Sequence, residues 1–189
     1  LKECLAGNHI SEVMGIVNGT TNFILTKMYN DNMQFEDALK LAQELGYAEK
    51  DPTADIEGHD ACRKICIIAS LVFGKHVYPD SVTTKGISQV SLEDVAAADV
   101  LGCAVKLIAC VEKLENGKIL PTVMPMLVPQ ENIIAGVSDV FNAVLVYGDG
   151  IDQTMFYGRG AGKLPTASAV LGDVIESVKE ENTVLSQTW

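Results

Sequence analysis

The sequence predicts an α+β domain in two layers, a mixed or antiparallel sheet with helices packed on one face. Three observations lead there. The first hundred residues are dominated by helical periodicity, while residues 105–126 read as one long hairpin and further strand-like runs follow it. The repeated strand–helix–strand units that a doubly wound nucleotide fold requires are missing.

Taken in order, Ile10 to Val17 is apolar and β-branched, a strand that breaks at Asn18-Gly19-Thr20-Thr21-Asn22. Thr20, Thr21 and Asn22 are N-cap candidates for a helix through Phe23, Leu25 and Met28. Phe35, Ala38, Leu39, Ala42 and Leu45 recur at helical spacing, with Gly46 as the stop. Tyr47 to Glu57 reads as an acidic loop, and a third helix runs from Gly58 or His59 to Phe73, closed by Gly74. Strand-like pieces are expected at Val77 and Ile87 to Val90, and Ser91-Leu92-Glu93-Asp94 caps a helix reaching Leu101. Val105 to Leu114 and Ile119 to Met126 flank the turn Glu115-Asn116-Gly117-Lys118. Val137 to Tyr147 and Gln153 to Tyr157 are further strands, and a glycine loop from Gly158 to Gly162 leads to a helix over Thr166 to Val178. Residues 1–178 are expected to form one domain and 179–189 a tail.

The 189 residues, 48% hydrophobic and 21% charged, have globular rather than disordered composition and enough length to bury a core unaided. A formal charge of −11 argues against nucleic acid or an anionic membrane surface as partner. No apolar run reaches the ~18 residues of a membrane span. Leu1 to Leu5 carries no basic or cleavable leader pattern and reads as a cut end inside a helix. The five cysteines form no CxxC pair and read as small buried hydrophobes of a reducing cytoplasm, with no metal site expected.

Two stretches carry chemistry. Glu49 to Asp60 holds five acids in twelve residues, a solvated loop on composition alone; Pro52 and Ile56 break any EF-hand pattern. In the helix that follows, Asp60 and Lys64 lie about 40° apart on one face. Ile67 and Leu71 continue that stripe, so the pair is expected on a buried face, where a desolvated lysine beside a carboxylate suits proton transfer. Cys62, about 160° from Lys64, is expected to face the core; His9 reads as surface, His59 and His76 as packing or capping residues. The second stretch, Gly158-Arg159-Gly160-Ala161-Gly162-Lys163, follows a strand and opens a helix, so it is either a tight turn or an anion-binding loop. It matches neither GxGxxG nor a Walker motif.

Gly15 to Leu25, Glu44 to Pro52 with Asp55 and Gly58 to Lys64, and Gly158 to Gly162 with Pro165 to Val174 together resemble homoserine dehydrogenase, in order over residues 10–178. The Glu44-to-Lys64 stretch is the most specific. The resemblance implies interconversion of homoserine and aspartate semialdehyde with NADP or NAD, on the cytoplasmic route to threonine, methionine and isoleucine. It implies that Lys64 is the catalytic acid/base and Asp60 its partner near the reacting oxygen. It further implies that Glu49 holds the substrate ammonium, that Gly19, Thr20, Tyr47 and Asp55 line the pocket, and that Gly158, Gly160 and Gly162 approach the cofactor. A homodimer built through the domain's sheet is implied as well. The family's N-terminal nucleotide-binding domain, its second catalytic lysine and its sodium loop have no counterpart in this sequence, so little turnover is expected of the chain alone. Two rivals remain: a non-catalytic dimerisation module of the same fold, which has no reason to keep Glu49, Asp60 and Lys64 together, and a semialdehyde dehydrogenase, which needs a nucleophilic cysteine.

Overall fold

A computed structural model describes residues 5–179. The expected readings of Leu1 to Cys4 as helix and of the tail beyond 179 lie outside the described residues.

Helices dominate the first half of the chain and strand hairpins the second. Strand β1 (Ile10–Ile16) leads into α1 (Gly19–Asp31), α2 (Phe35–Glu44), the single turn α3 (Thr53–Ile56) and α4 (His59–Phe73). The two-residue β2 (Thr83–Thr84) and α5 (Leu92–Val100) precede the hairpin β3 (Cys103–Lys113) and β4 (Ile119–Pro129). A second hairpin, β5 (Phe141–Gly148) and β6 (Asp152–Arg159), runs into α6 (Lys163–Lys179). The six strands form one sheet in the order β2-β4-β3-β1-β5-β6. Every pairing is antiparallel except β2 with β4, so the sheet is mixed.

The first strand becomes the middle of the sheet because both later hairpins close on it: Val13 lies opposite Val111 on β3 and Val146 on β5. Helices α1, α4 and α5 pack on one face. Phe23, Ile24 and Met28 of α1 and Ala61, Ile65 and Ala69 of α4 bury themselves there against Leu107, Ala109, Val111 and Val123. The opposite face carries Ile16, Ile108, Ala143 and Leu145, roofed by Ile134 from a 3-10 turn at Ile133–Gly136 and by Val137 just after it. Met14, Cys110, Met126, Tyr147 and Met155 extend this second apolar surface and are only partly buried.

Several sequence expectations need correction. Asn18, not Thr20, Thr21 or Asn22, caps α1: its Oδ1 accepts the Thr21 N–H at 2.9 Å. Val77 and Ile87 to Val90 form no strand. The Val77 N–H donates to the Ser70 hydroxyl and the Ile87 N–H to the Ile56 carbonyl, so both side chains enter the core from irregular backbone. The Val137 end of the next run is likewise loop, with the strand beginning at Phe141. The loop after Tyr47 contains α3, and α6 starts three residues before Thr166. On α6, Leu164, Val170, Leu171, Val174, Ile175 and Val178 are all exposed. The capping box of α5, Ser91 with Asp94, forms as expected, as does the left-handed Gly74 that ends α4.

Candidate functional site

At the exit of β1 the chain turns into α1, and the N-terminal turn of α4 comes up beside it. Between them and the loop after β6 lies a cavity of about 480 Å³. Gly19, Thr20, Tyr47, Asp55, Asp60, Lys64, Gly160 and Gly162, all singled out above, line it together with Asn18, Val140, Asn142 and Arg159. Glu49 and Gly158 do not. Glu49 is exposed beyond Tyr47, and Gly158 sits within β6 opposite Asn142.

The polar centre is a four-residue cluster. Lys64 Nζ meets Asp60 Oδ2 at 2.7 Å and donates to the Val17 carbonyl at 2.9 Å. Asn18 Nδ2 forks to Asp60 Oδ2 at 3.0 Å and Asp55 Oδ1 at 2.7 Å. The same amide that caps α1 therefore ties both carboxylates together. Burial pushes the Asp60 carboxyl up, but hydrogen bonds from Lys64 and Asn18 and the charges of Lys64 and Arg63 outweigh it, holding Asp60 below its usual value. The pair does not sit on a buried stripe. Ile67, one turn on, is 60% exposed, and the Lys64 and Asp60 side chains keep 45% and 25% of their surface. Lys64 is therefore reachable from solvent, while its carboxylate partner stays ionised. Cys62 is buried, as expected.

The other walls are fixed by short contacts. The Thr20 hydroxyl donates to the Tyr47 carbonyl at 2.7 Å, and the Tyr47 ring meets the Phe23 edge with centroids 5.1 Å apart. Arg159 lies over the Phe141 ring, 4.8 Å to its centroid, and that ring stacks on Tyr157. His9, His59 and His76 are exposed and stand outside the cavity.

The glycine loop is bare for steric reasons. A Cβ at Gly160 would overlap the Asn142 amide, and Gly162 has φ +121°, which L side chains rarely adopt. Beneath the loop, Asn142 Oδ1 is buried without a hydrogen-bond partner. A bare backbone, the N-terminus of α6, a cation at Arg159 and an orphaned acceptor together suit a ligand carrying both anionic and amide groups, as a nicotinamide dinucleotide does.

Asn18 and Asn142 were not singled out from the sequence, and Arg159 was marked only as part of the glycine stretch. Asn18 offered a signal, since it stands at the strand–helix junction ahead of the expected caps. Asn142 offered none, because a lone asparagine in a β-branched run is ambiguous.

Comparison with known proteins shows the family of the chain. A family model described as homoserine dehydrogenase matches residues 1–175. A homoserine dehydrogenase of Bacillus subtilis is 47% identical over 179 residues, covering 95% of this chain and 41% of the relative. A crystal structure of a homoserine dehydrogenase from Thiobacillus denitrificans superimposes with a TM-score of 0.89 at 46% identity, over 92% of this chain and 40% of that one. A hyperthermophilic archaeal homoserine dehydrogenase mutant in complex with NADPH gives 0.79 at 32% identity, over 97% and 51%. This chain thus spans about 41% of the length of the Bacillus relative. In sequence and fold alike, it belongs to the homoserine dehydrogenase family.

Proposed function

We propose that this chain supplies the substrate pocket and the acid/base group for the interconversion of L-homoserine and L-aspartate 4-semialdehyde. The observation that carries this reading is the Asp60–Lys64 pair braced by Asn18 at the floor of a cavity that also holds a bare glycine loop. In the reducing direction Lys64 donates a proton to the oxygen of the new alcohol; in the oxidising direction its neutral amine takes the hydroxyl proton. Asp60 stays ionised and holds the Lys64 head group toward the cavity. Asp55, also in the wall, takes the substrate ammonium; Glu49, outside the wall, assists only from the rim. A bound nicotinamide dinucleotide would supply the hydride in its reduced form and accept it in its oxidised form, and Gly160, Gly162 and Asn142 are the residues of this chain that would hold it, with Gly158 supporting the loop from β6.

The complete enzyme is proposed to act in the cytoplasm in threonine, methionine and isoleucine synthesis, as a homodimer joined through the second sheet face, where Met14, Met126 and Met155 are only partly covered. No helix among the described residues is long and apolar enough to cross a membrane. The nucleotide is proposed to be held mainly by the part of a full-length enzyme that this chain, 41% of the length of the Bacillus relative, does not span, so this polypeptide alone is expected to turn over little substrate. The decisive assay is homoserine-dependent reduction of NADP or NAD by the protein at its full natural length. Lys64→Ala is expected to lower kcat by roughly 10²–10⁴-fold with a small change in substrate affinity. A Lys64→Ala enzyme of near-normal kcat would refute the assignment of Lys64, and an unsubstituted full-length protein that does not oxidise homoserine would favour a non-catalytic module.

A further inference from the structure

The proposed reaction leaves one buried charge unused. Lys106, on β3, is 4% exposed, and among the described residues no carboxylate lies within ion-pair distance of it. Its Nζ donates to the Val137 carbonyl at 2.7 Å and, over 3.4 Å, to Asn22 Oδ1. Burial pushes the ammonium down to about 8, opposed by the Asp139 charge. An ammonium in such surroundings is costly to bury; its hydrogen bonds to Val137 and Asn22 offset part of that cost and hold their partners in place.

What it holds is the segment after the 3-10 turn. With a donor set against Oδ1, the Asn22 amide is oriented with Nδ2 toward residues 137–141, where its two N–H groups are shared among the carbonyls of Val137, Asp139 and Phe141 at 3.2, 3.0 and 3.2 Å, the Val137 carbonyl being the one that Lys106 also bonds. The Asp139 N–H donates in turn to the Thr26 hydroxyl at 3.0 Å. Residues 137–141 are thereby strapped to α1. The same segment forms a wall of the functional cavity through Val140 and leads into Asn142, while α1 contributes Gly19 and Thr20 to the facing wall. The two walls nearly touch, since a Cβ on Gly19 would come to 2.9 Å from the Val140 carbonyl oxygen.

We propose that Lys106, acting through Asn22, is a positioning residue for the substrate pocket: it sets the gap between the N-terminus of α1 and residues 137–142, and so how tightly the site grips its amino-acid substrate. This rests on reading the Asp60–Lys64 cavity as the homoserine site. A second cavity of about 240 Å³, lined by Lys106, Thr26, Tyr29 and Gln130, leaves room for a larger head group, so Lys106→Arg is the conservative variant.

The test uses the protein at its full natural length. Lys106→Met removes an unpaired buried charge, so Tm should hold or rise. KM for homoserine should rise about tenfold with kcat within about threefold, and Lys106→Arg should recover most of that loss. Amide hydrogen exchange over residues 137–142 should quicken about tenfold in Lys106→Met and stay unchanged elsewhere. An unaltered KM overturns the proposal. So does a KM rise accompanied by a fall in Tm and faster exchange throughout, which would mean a general structural role. If the unsubstituted protein does not oxidise homoserine, the proposed function fails, and exchange alone decides: protection lost at 137–142 supports the strap, and protection retained overturns it.

Discussion

Asn18 joins the fold to the chemistry, so removing its side chain should weaken both by amounts the structure sets. Asn18→Ala deletes the cap acceptor of α1, worth about 1 kcal/mol. It also deletes two hydrogen bonds to carboxylates, each worth about 1.5 kcal/mol when sheltered. The Asp60 side chain keeps a quarter of its exposure, so water replaces part of that loss and the total is about 2–3 kcal/mol. With a urea slope of roughly 2 kcal/mol/M, the midpoint of this chain should fall by about 1–1.5 M at pH 7. Asn18→Ser keeps a cap acceptor but loses the fork, and should lose about 1 kcal/mol less. The sign of the pH dependence follows from Asp60. Its folded pKa lies below its ordinary value, so the stability it lends is full above about pH 3.9 and disappears as pH falls through the folded value. The gap between Asn18→Ala and the parent chain should therefore narrow in acid toward the cap contribution alone. Equal losses for Ala and Ser, or a loss under about 0.5 kcal/mol for Ala, would refute the bridging role.

Two further outcomes are expected. Gly160→Ala forces its new methyl into the Asn142 amide, so nucleotide affinity of the full-length protein should drop about tenfold by fluorescence titration while Tm moves by only a few degrees; unchanged affinity would remove the glycine loop from the cofactor site. Lys106 has a folded pKa of about 8 against an ordinary 10.5, so between those values the folded state carries fewer protons than the unfolded one, and this group makes stability rise with pH. Urea midpoints at pH 7.5 and 9.5 should show that rise in the parent chain, set against Lys106→Met, which lacks it; parallel pH profiles would show that Lys106 is not desolvated.

Much of the fold could be read along the chain because its signals are local. Gly46 and Gly74 stop helices by taking positive φ, Ser91 and Asp94 cap each other across three residues, and the Leu114–Lys118 turn closes its hairpin in register. Local signals failed where a segment had no strand to pair with. The apolar, β-branched character of Val77 and Ile87 predicts strands, but the partners of their N–H groups, Ser70 and Ile56, lie outside those runs, and no strand forms. The same limit applied to the site. The resemblance marked Asp60 and Lys64, and helix geometry put them together, yet the stripe continues to an exposed Ile67, because among the described residues no element covers it.

The sequence by itself determined the helices and hairpins, the Asp60–Lys64 spacing and the family, since each depends on residues within a few positions of one another or on an ordered set of motifs. Tertiary structure decided which groups converge. Asn18 reaches Asp55 and Asp60 across 37 and 42 positions, and Lys106 reaches Asn22 across 84. It also left Glu49 outside the cavity and turned an ordinary strand lysine into the sheltered cation behind the site. Such pairings depend on where the sheet closes and which elements it brings face to face, and no local pattern of polarity or spacing encodes that distance.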